Sequence, residues 1–69
     1  MDVFFKVWDK AKKHYNLERF VKVNFDEALI RIYYKGQIIV RADGDYNELE
    51  IMYTQAANRL ATWMQQKGA

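Results

Sequence analysis

Seven side chains of this 69-residue chain could make contact chemistry together: Phe20, Lys22, Leu29, Arg31, Tyr33, Ile39 and Arg41. Basic residues interleaved with aromatic rings on a sheet can stack unpaired bases and neutralise phosphates. Leu29 and Ile39 fall in the middle of this set and read nothing in a nucleic acid. They suit a protein interface, where Tyr and Arg are also enriched. The set therefore predicts a protein partner, or a second copy of the chain, with RNA or DNA as the alternative. In that alternative Phe20 and Tyr33 stack bases while Lys22, Arg31 and Arg41 hold phosphates.

The rest of the chemical inventory is thin. The chain has no Cys, no Ser, two Thr (Thr54 and Thr62) and one His, His14. A Ser-His or Cys-His nucleophile pair cannot be assembled from it. No Gly-rich phosphate loop is present. No catalytic residue, cofactor or small-molecule substrate is assigned, and a non-enzymatic protein is expected. His14 is expected half-exposed on the shoulder of the first helix, beside Val3 and Val7. Asp43-Gly44-Asp45-Tyr46-Asn47 places oxygen ligands at every second position, as a calcium loop does. Glu48 then stands where that loop needs Gly, and Thr54 where it needs a bidentate Glu. A turn leading into a capped helix accounts for all five residues, so no metal ligand is assigned.

The elements that must position the seven residues start from a hairpin over Ala28–Ala42. Alternation gives it one aliphatic face, Ala28, Ile30, Ile32, Ile38, Val40 and Ala42, and one mixed face, Leu29, Arg31, Tyr33, Ile39 and Arg41. A two-residue Lys35-Gly36 loop would set Arg41 against Ile30 and mix the faces. A three-residue loop, Tyr34-Lys35-Gly36 with Gly36 left-handed, keeps them apart and predicts the pairs Ile32–Ile38, Ile30–Val40 and Ala28–Ala42.

Asp2 to about Asn16 has a helical period, with Phe4, Trp8, Ala11 and Tyr15 on one stripe and Lys6, Lys10 and Lys13 opposite. Glu18–Asn24 reads as a strand with Val21 and Val23 on one side and Phe20, Lys22 and Asn24 on the other. Phe25-Asp26-Glu27 is the expected turn. A long helix follows from about Tyr46 to Lys67, with Asp45 as N-cap, Glu48 three residues on, and Gly68 as terminator. Its expected buried stripe is Leu49, Tyr53, Ala56, Leu60, Trp63 and Met64. It should overhang the shorter strands, leaving Trp63 and Met64 to be covered by the first helix or a second subunit.

The predicted fold is α+β: one domain over residues 1–69, in the order α-β-β-β-α, a three-stranded antiparallel meander with two helices packed on one face. The other face of the sheet is left open, and it carries the seven residues. A chain this short buries only about 60% of its unfolded surface. With no cysteine to staple it, its routes to stability are a dense core, for which 16% aromatic residues provide material, or self-association. The net charge of +2 permits an acidic partner without specifying one. No stretch reads as a secretory leader or a membrane span, Met1 opens the chain as it would a complete protein, and a cytoplasmic location without membrane attachment is expected.

The element order and length resemble the double-stranded RNA-binding domain over nearly the whole chain, as topology. Ala56-Ala57-Asn58-Arg59-Leu60 is similar to that family's alanine-rich second helix. The resemblance implies RNA contacts from helix one, the first strand–strand loop and a lysine-rich start of helix two. The chain departs from that pattern at two of the three places. Its loop is Phe25-Asp26-Glu27, short and acidic, without Gly-Pro-x-His. Its second helix opens with four acids between Asp43 and Glu50 and no base, which would repel phosphates. The outer side of that helix carries mostly neutral amides and hydroxyls: Thr54, Gln55, Asn58, Thr62, Gln65 and Gln66. The function these features predict is a small interaction module, such as a regulator, an inhibitor or a homo-oligomeric adaptor.

Overall fold

A computed structural model describes residues 2–68. The elements are α1 (Asp2–Lys12), β1 (Leu17–Val23), β2 (Ala28–Tyr34), β3 (Gln37–Gly44), a 3-10 turn over Tyr46–Glu48, and α2 (Leu49–Gly68). The three strands form one antiparallel sheet in the order β1-β2-β3. This is the predicted α-β-β-β-α meander, with the helices on one face. Among the described residues no helix is long and apolar enough to cross a membrane.

The β2–β3 hairpin departs from the expected register. Lys35 and Gly36 both have positive φ, 52° and 79°, the signature of a two-residue turn whose twist matches the strands it joins. Tyr34 pairs with Gln37 and Tyr33 with Ile38. Continued without interruption, that ladder would place Arg41 against Ile30, under the helices. A β-bulge prevents this. The register shifts between Ile32 and Tyr33, so Ile39 is an extra residue and the pairs become Ile32–Val40, Ile30–Ala42 and Ala28–Gly44. The expected three-residue loop would have restored face parity at the turn, whereas the bulge restores it two residues further along β3.

Ile39 is corrected by the same shift. As the bulged residue it leaves the open face and is half-buried against the core. It lines a groove between β3 and α2, with Arg59 and Trp63. Ile38, expected opposite Ile32 on the aliphatic face, instead pairs with Tyr33 on the open face.

The core lies between the sheet and both helices. Ile30, Ile32, Val40 and Ala42 meet Phe4, Trp8 and Ala11 of α1 and Met52, Ala56, Ala57 and Leu60 of α2. Met52 and Ala57 lie outside the stripe expected for α2. The helix touches both the sheet and α1, so its buried arc widens to roughly 140° at 100° per residue. Gly44 makes room for its first turn: a Cβ there would lie 3.0 Å from the Met52 Cβ.

α1 and α2 run side by side in the same direction. Phe4 meets Tyr53 with ring centroids 5.3 Å apart, and Tyr15 meets Trp63 at 4.8 Å. α1 stops at Lys12, short of the expected Asn16. The Ala11 carbonyl accepts from both His14 N, at 3.1 Å, and Tyr15 N, at 2.9 Å, which closes the last turn and lets the chain double back into β1. Tyr15 and Tyr34 then close over Trp63, the latter at 5.2 Å. The overhanging tryptophan is thus covered within its own chain.

α2 also begins later than expected, at Leu49 after the 3-10 turn. Asp45 caps that turn, its Oδ1 accepting from Asn47 N at 3.0 Å. β1 begins one residue earlier than expected and ends at Val23. Asn24 belongs to the loop, where its Oδ1 accepts from the amides of Asp26 and Glu27, both at 2.9 Å. Val21 and Val23 lie on the helix side of the sheet, yet they are 36% and 42% exposed, because the helices sit mainly over β3 and β2.

The turn and the bulge each carry a prediction. Lys35→Asn supplies the residue that best tolerates the left-handed conformation and should raise stability by about 0.5 kcal/mol. Gly36→Ala should lower it by about 1 kcal/mol or more, both read from urea unfolding. Deleting Ile39 should leave a regular hairpin with Val40 still opposite Ile32 and Arg41 still on the open face. Nuclear Overhauser contacts between Val40 and Ile32 report it, alongside a loss of about 1–2 kcal/mol from the lost isoleucine burial.

Candidate functional site

The face of the sheet away from the helices consists of three cross-strand rows. The first is Glu18, Tyr33 and Ile38. The second is Phe20, Arg31 and Arg41. The third is Lys22, Leu29 and Asp43. Six of the seven sequence-predicted residues are brought together here, and Ile39 is not. Glu18, Ile38 and Asp43 complete the face without having been assigned to it. Glu18 follows by alternation from Phe20 and Lys22, Asp43 joins because β3 runs past Ala42, and Ile38 arrives through the positive φ at Lys35 and the bulge that answers it. Asp43, expected in the turn before the second helix, belongs to β3, which runs on through Gly44.

Arg31 is the centre of this face and it is tied down. Its Nη1 donates to the Ile30 carbonyl at 3.0 Å and to the Ala42 carbonyl at 3.4 Å. Its Nη2 donates to Asp43 Oδ1 at 3.0 Å, and the arginine side chain is only 22% exposed. The guanidinium therefore lies along β2 and β3 instead of projecting outward. Lys22 is held too, with Nζ 2.7 Å from Glu27 Oε1. Among the described residues Arg41 has no carboxylate partner. Its own carbonyl accepts from Arg59 Nη1 of α2.

Apolar area surrounds these charges. Phe20 is 52% exposed and Ile38 is exposed beside Tyr33. With Glu18, Glu27 and Asp43 against Lys22, Arg31 and Arg41, three carboxylates face three cations and the face is neutral. Elsewhere, several cations stack on the chain's own rings. The Arg19 guanidinium lies 5.2 Å from the Phe5 centroid and 5.0 Å from that of Trp8, on the helix side of β1. Lys67 covers Tyr34 and Trp63 at the far end of α2. Lys6 and Lys10 stand exposed on α1 and Lys13 in the turn after it.

Other candidates resolve into structure. Asp43 serves Arg31 and Asp45 caps the turn before α2, and among the described residues no group of three or more His, Cys, Asp or Glu side chains is placed to hold a metal ion. His14 is exposed in the turn after α1, and its ring meets Tyr15 edge-on at 6.4 Å. Asn58, Thr62 and Gln66, part of the amide-rich side of α2, line the groove beside Ile39 and Arg41. At the opposite end of the molecule Phe25 stands 87% exposed at the tip of the β1–β2 loop, its ring 5.5 Å from that of Tyr46.

In the regions by which double-stranded RNA-binding domains hold RNA, this chain presents Asp26 and Glu27 in the loop, Glu48 in the 3-10 turn and Glu50 in the first turn of the second helix. No protein-family model matches the chain, and no curated protein or solved structure shows significant similarity to it.

The Arg31–Asp43 pair carries a stability prediction. Asp43 is 67% exposed, so solvent and salt screen the pair. Asp43→Asn should cost less than about 1 kcal/mol in urea unfolding at low ionic strength, and the difference should vanish in about 1 M salt.

Proposed function

We propose that this chain is a non-enzymatic interaction module that binds a protein partner through the open face of its sheet. The observation that carries this reading is the internal pairing of Lys22 and Arg31 with Glu27 and Asp43. A phosphate backbone draws its affinity from cations that release counterions, and here two of the three must first abandon a carboxylate. A protein partner needs no such exchange. Arg31 is already half-desolvated and held in one geometry, so little rotamer freedom remains to be lost on contact. Phe20, Tyr33 and Ile38 supply rigid apolar area around it, the composition of an interface centre. Arg41 adds one free cation at the side, suited to a partner carboxylate.

The exposed Phe20 and Ile38 support a partner for a further reason. Contiguous apolar area on a monomer's surface commonly marks a contact site, and here it is ordered on a rigid three-stranded frame. Such a module would act by occupying or bridging partners, as a regulator, inhibitor or adaptor does.

Site-specific photo-crosslinking in cells tests the reading. A photoreactive residue at Tyr33 should give discrete protein adducts of defined mass, and one at the exposed Lys13 in the turn after α1 should not. Gel shifts at low salt with single- and double-stranded RNA and DNA should show no complex. Adducts at Tyr33 that contain nucleic acid, a steeply salt-dependent gel shift abolished by Arg41→Glu, or no Tyr33-specific adduct at all would each overturn it.

A further inference from the structure

The outer edge of β1 is the feature that the open-face reading leaves unused. β1 pairs with β2 over all seven of its residues without a bulge, and the chain contains no proline to blunt it. Asn24 N donates to the Glu27 carbonyl at 2.9 Å, which makes residues 24 and 27 a hydrogen-bonded pair. By the alternation of an antiparallel ladder, Val23–Ala28, Val21–Ile30, Arg19–Ile32 and Leu17–Tyr34 are then non-bonded pairs. The amides and carbonyls of Leu17, Arg19, Val21 and Val23 therefore point away from β2, along a free edge. The other edge is closed differently: β3 is interrupted by the bulge at Ile39, and Arg59 occupies the Arg41 carbonyl.

We propose that a second copy of this chain docks on that edge, β1 against β1 and antiparallel, about a two-fold axis through Phe20. Only a register that pairs outward-pointing residues with outward-pointing residues can form ladder bonds. Three such registers are centred on the middle of the strand. Centred on Arg19, the two Arg19 side chains stand directly opposite one another, which repels. Centred on Val21, Lys22 faces Phe20 of the second copy and no charge is matched. Centred on Phe20, Glu18 of each copy faces Lys22 of the other, twice by symmetry, and the two Phe20 rings meet across the axis. Those two kinds of pair fall at the non-bonded positions of the new ladder, where side chains approach most closely. Arg19 bonds to Val21 of the second copy, and Leu17 to Val23.

The exposed helix side of β1 fits the same occupant. Val21 and Val23 face the helix layer yet remain 36% and 42% exposed, and Phe5 beside them is 38% exposed. A continuous six-stranded sheet brings the second copy's β1 and α1 against this strip. Edge strands that avoid pairing carry charges that repel an incoming strand. Here Lys22 meets a carboxylate instead, and Arg19 lies over Phe5 and Trp8, off the edge. In the single chain Lys22 is held by Glu27, and Glu18 of the second copy joins or replaces that contact. The pairing uses the edge and the β1 side chains Glu18, Phe20 and Lys22, and leaves the β2 and β3 part of the open face, with Arg31, Tyr33, Ile38 and Arg41, free for another protein.

Sedimentation and light scattering over a concentration series test the proposal. The unmodified chain should approach twice its 8.3 kDa mass. Hydrogen exchange at the amides of Arg19, Val21 and Val23 should slow as concentration rises, a readout that needs no variant. Glu18→Lys turns both cross-pairs repulsive and should weaken association by about tenfold or more. Adding Lys22→Glu to it reverses both partners and should restore the dimer. Circular dichroism checks that each variant stays folded, which the exposure of both side chains favours. A single-chain mass up to about 1 mM, a dimer indifferent to Glu18→Lys, or a double variant that stays dissociated would each overturn the pairing. Loss of the dimer with Tyr33-specific protein adducts intact would overturn the edge contact alone.

Discussion

The structure depends on one parity constraint. Side chains of a strand alternate between faces, so a single residue more or less between two paired strands exchanges the inside of one for its outside. The Lys35-Gly36 turn sets the parity that would bury Arg41, and an unpaired guanidinium under the helices would cost far more than any hairpin contact returns. The bulge at Ile39 absorbs the mismatch. Because it does, Ile30, Ile32, Val40 and Ala42 form one aliphatic surface for the helices. Because it does, too, Arg31 and Arg41 stand together with Phe20 on the other side. The core and the candidate interface follow from the same extra residue.

How far the helices reach over that aliphatic surface decides what is left open. α2 follows β3 after a short 3-10 turn, and Gly44 lets its first turn approach the strand closely. It therefore lies over β3 and β2. α1 packs against α2, and their joint end is sealed by Tyr15, Tyr34 and Trp63. Little of the helix layer remains for β1, whose own inward residues after Leu17 stay exposed. A chain of this length has too few residues to roof all three strands. The shortfall falls on the edge strand that is also the most regular.

Much of this was legible in the residues, and what was not has identifiable causes. The order of elements, the aliphatic face of the hairpin and the stripe Phe4, Trp8, Ala11 follow from hydrophobic period alone, because burial selects those positions whatever the turn does. Ile39 was misplaced because two solutions to the parity problem exist, a three-residue loop or a two-residue turn with a bulge, and the choice between them turns on backbone torsion at Lys35, which no side-chain pattern encodes. Met52 and Ala57 were missed because α2 is buried against two neighbours, and a one-sided stripe describes contact with one. Tyr15 was placed correctly on its stripe although α1 ends before it, since its ring is fixed by Trp63 and Tyr34 more than by helix geometry. Six of the nine face residues were found by alternation. The carboxylates that neutralise Lys22 and Arg31 were not, because Glu27 and Asp43 lie in a loop and at a strand end, where alternation says nothing about direction.

Those carboxylates change what the face can do. Arg31 in an open, unpaired state would be a phosphate clamp with aromatic neighbours. Held by Asp43 and two carbonyls, it is a flat, partly dehydrated plate between Tyr33 and Leu29. β1 joins this plate to the edge: Glu18, Phe20 and Lys22 project onto the open face, while the backbone of Arg19 and Val21 lines the free edge. In the edge-paired dimer the two open faces merge across the two-fold axis, with both Phe20 rings at the middle and an arginine cluster on either side. Glu18 and Lys22 are spent on the seam, so the merged face becomes more apolar at its centre than either half. That redistribution favours an extended protein partner crossing the axis, and it gives the single strand β1 a part in both contacts.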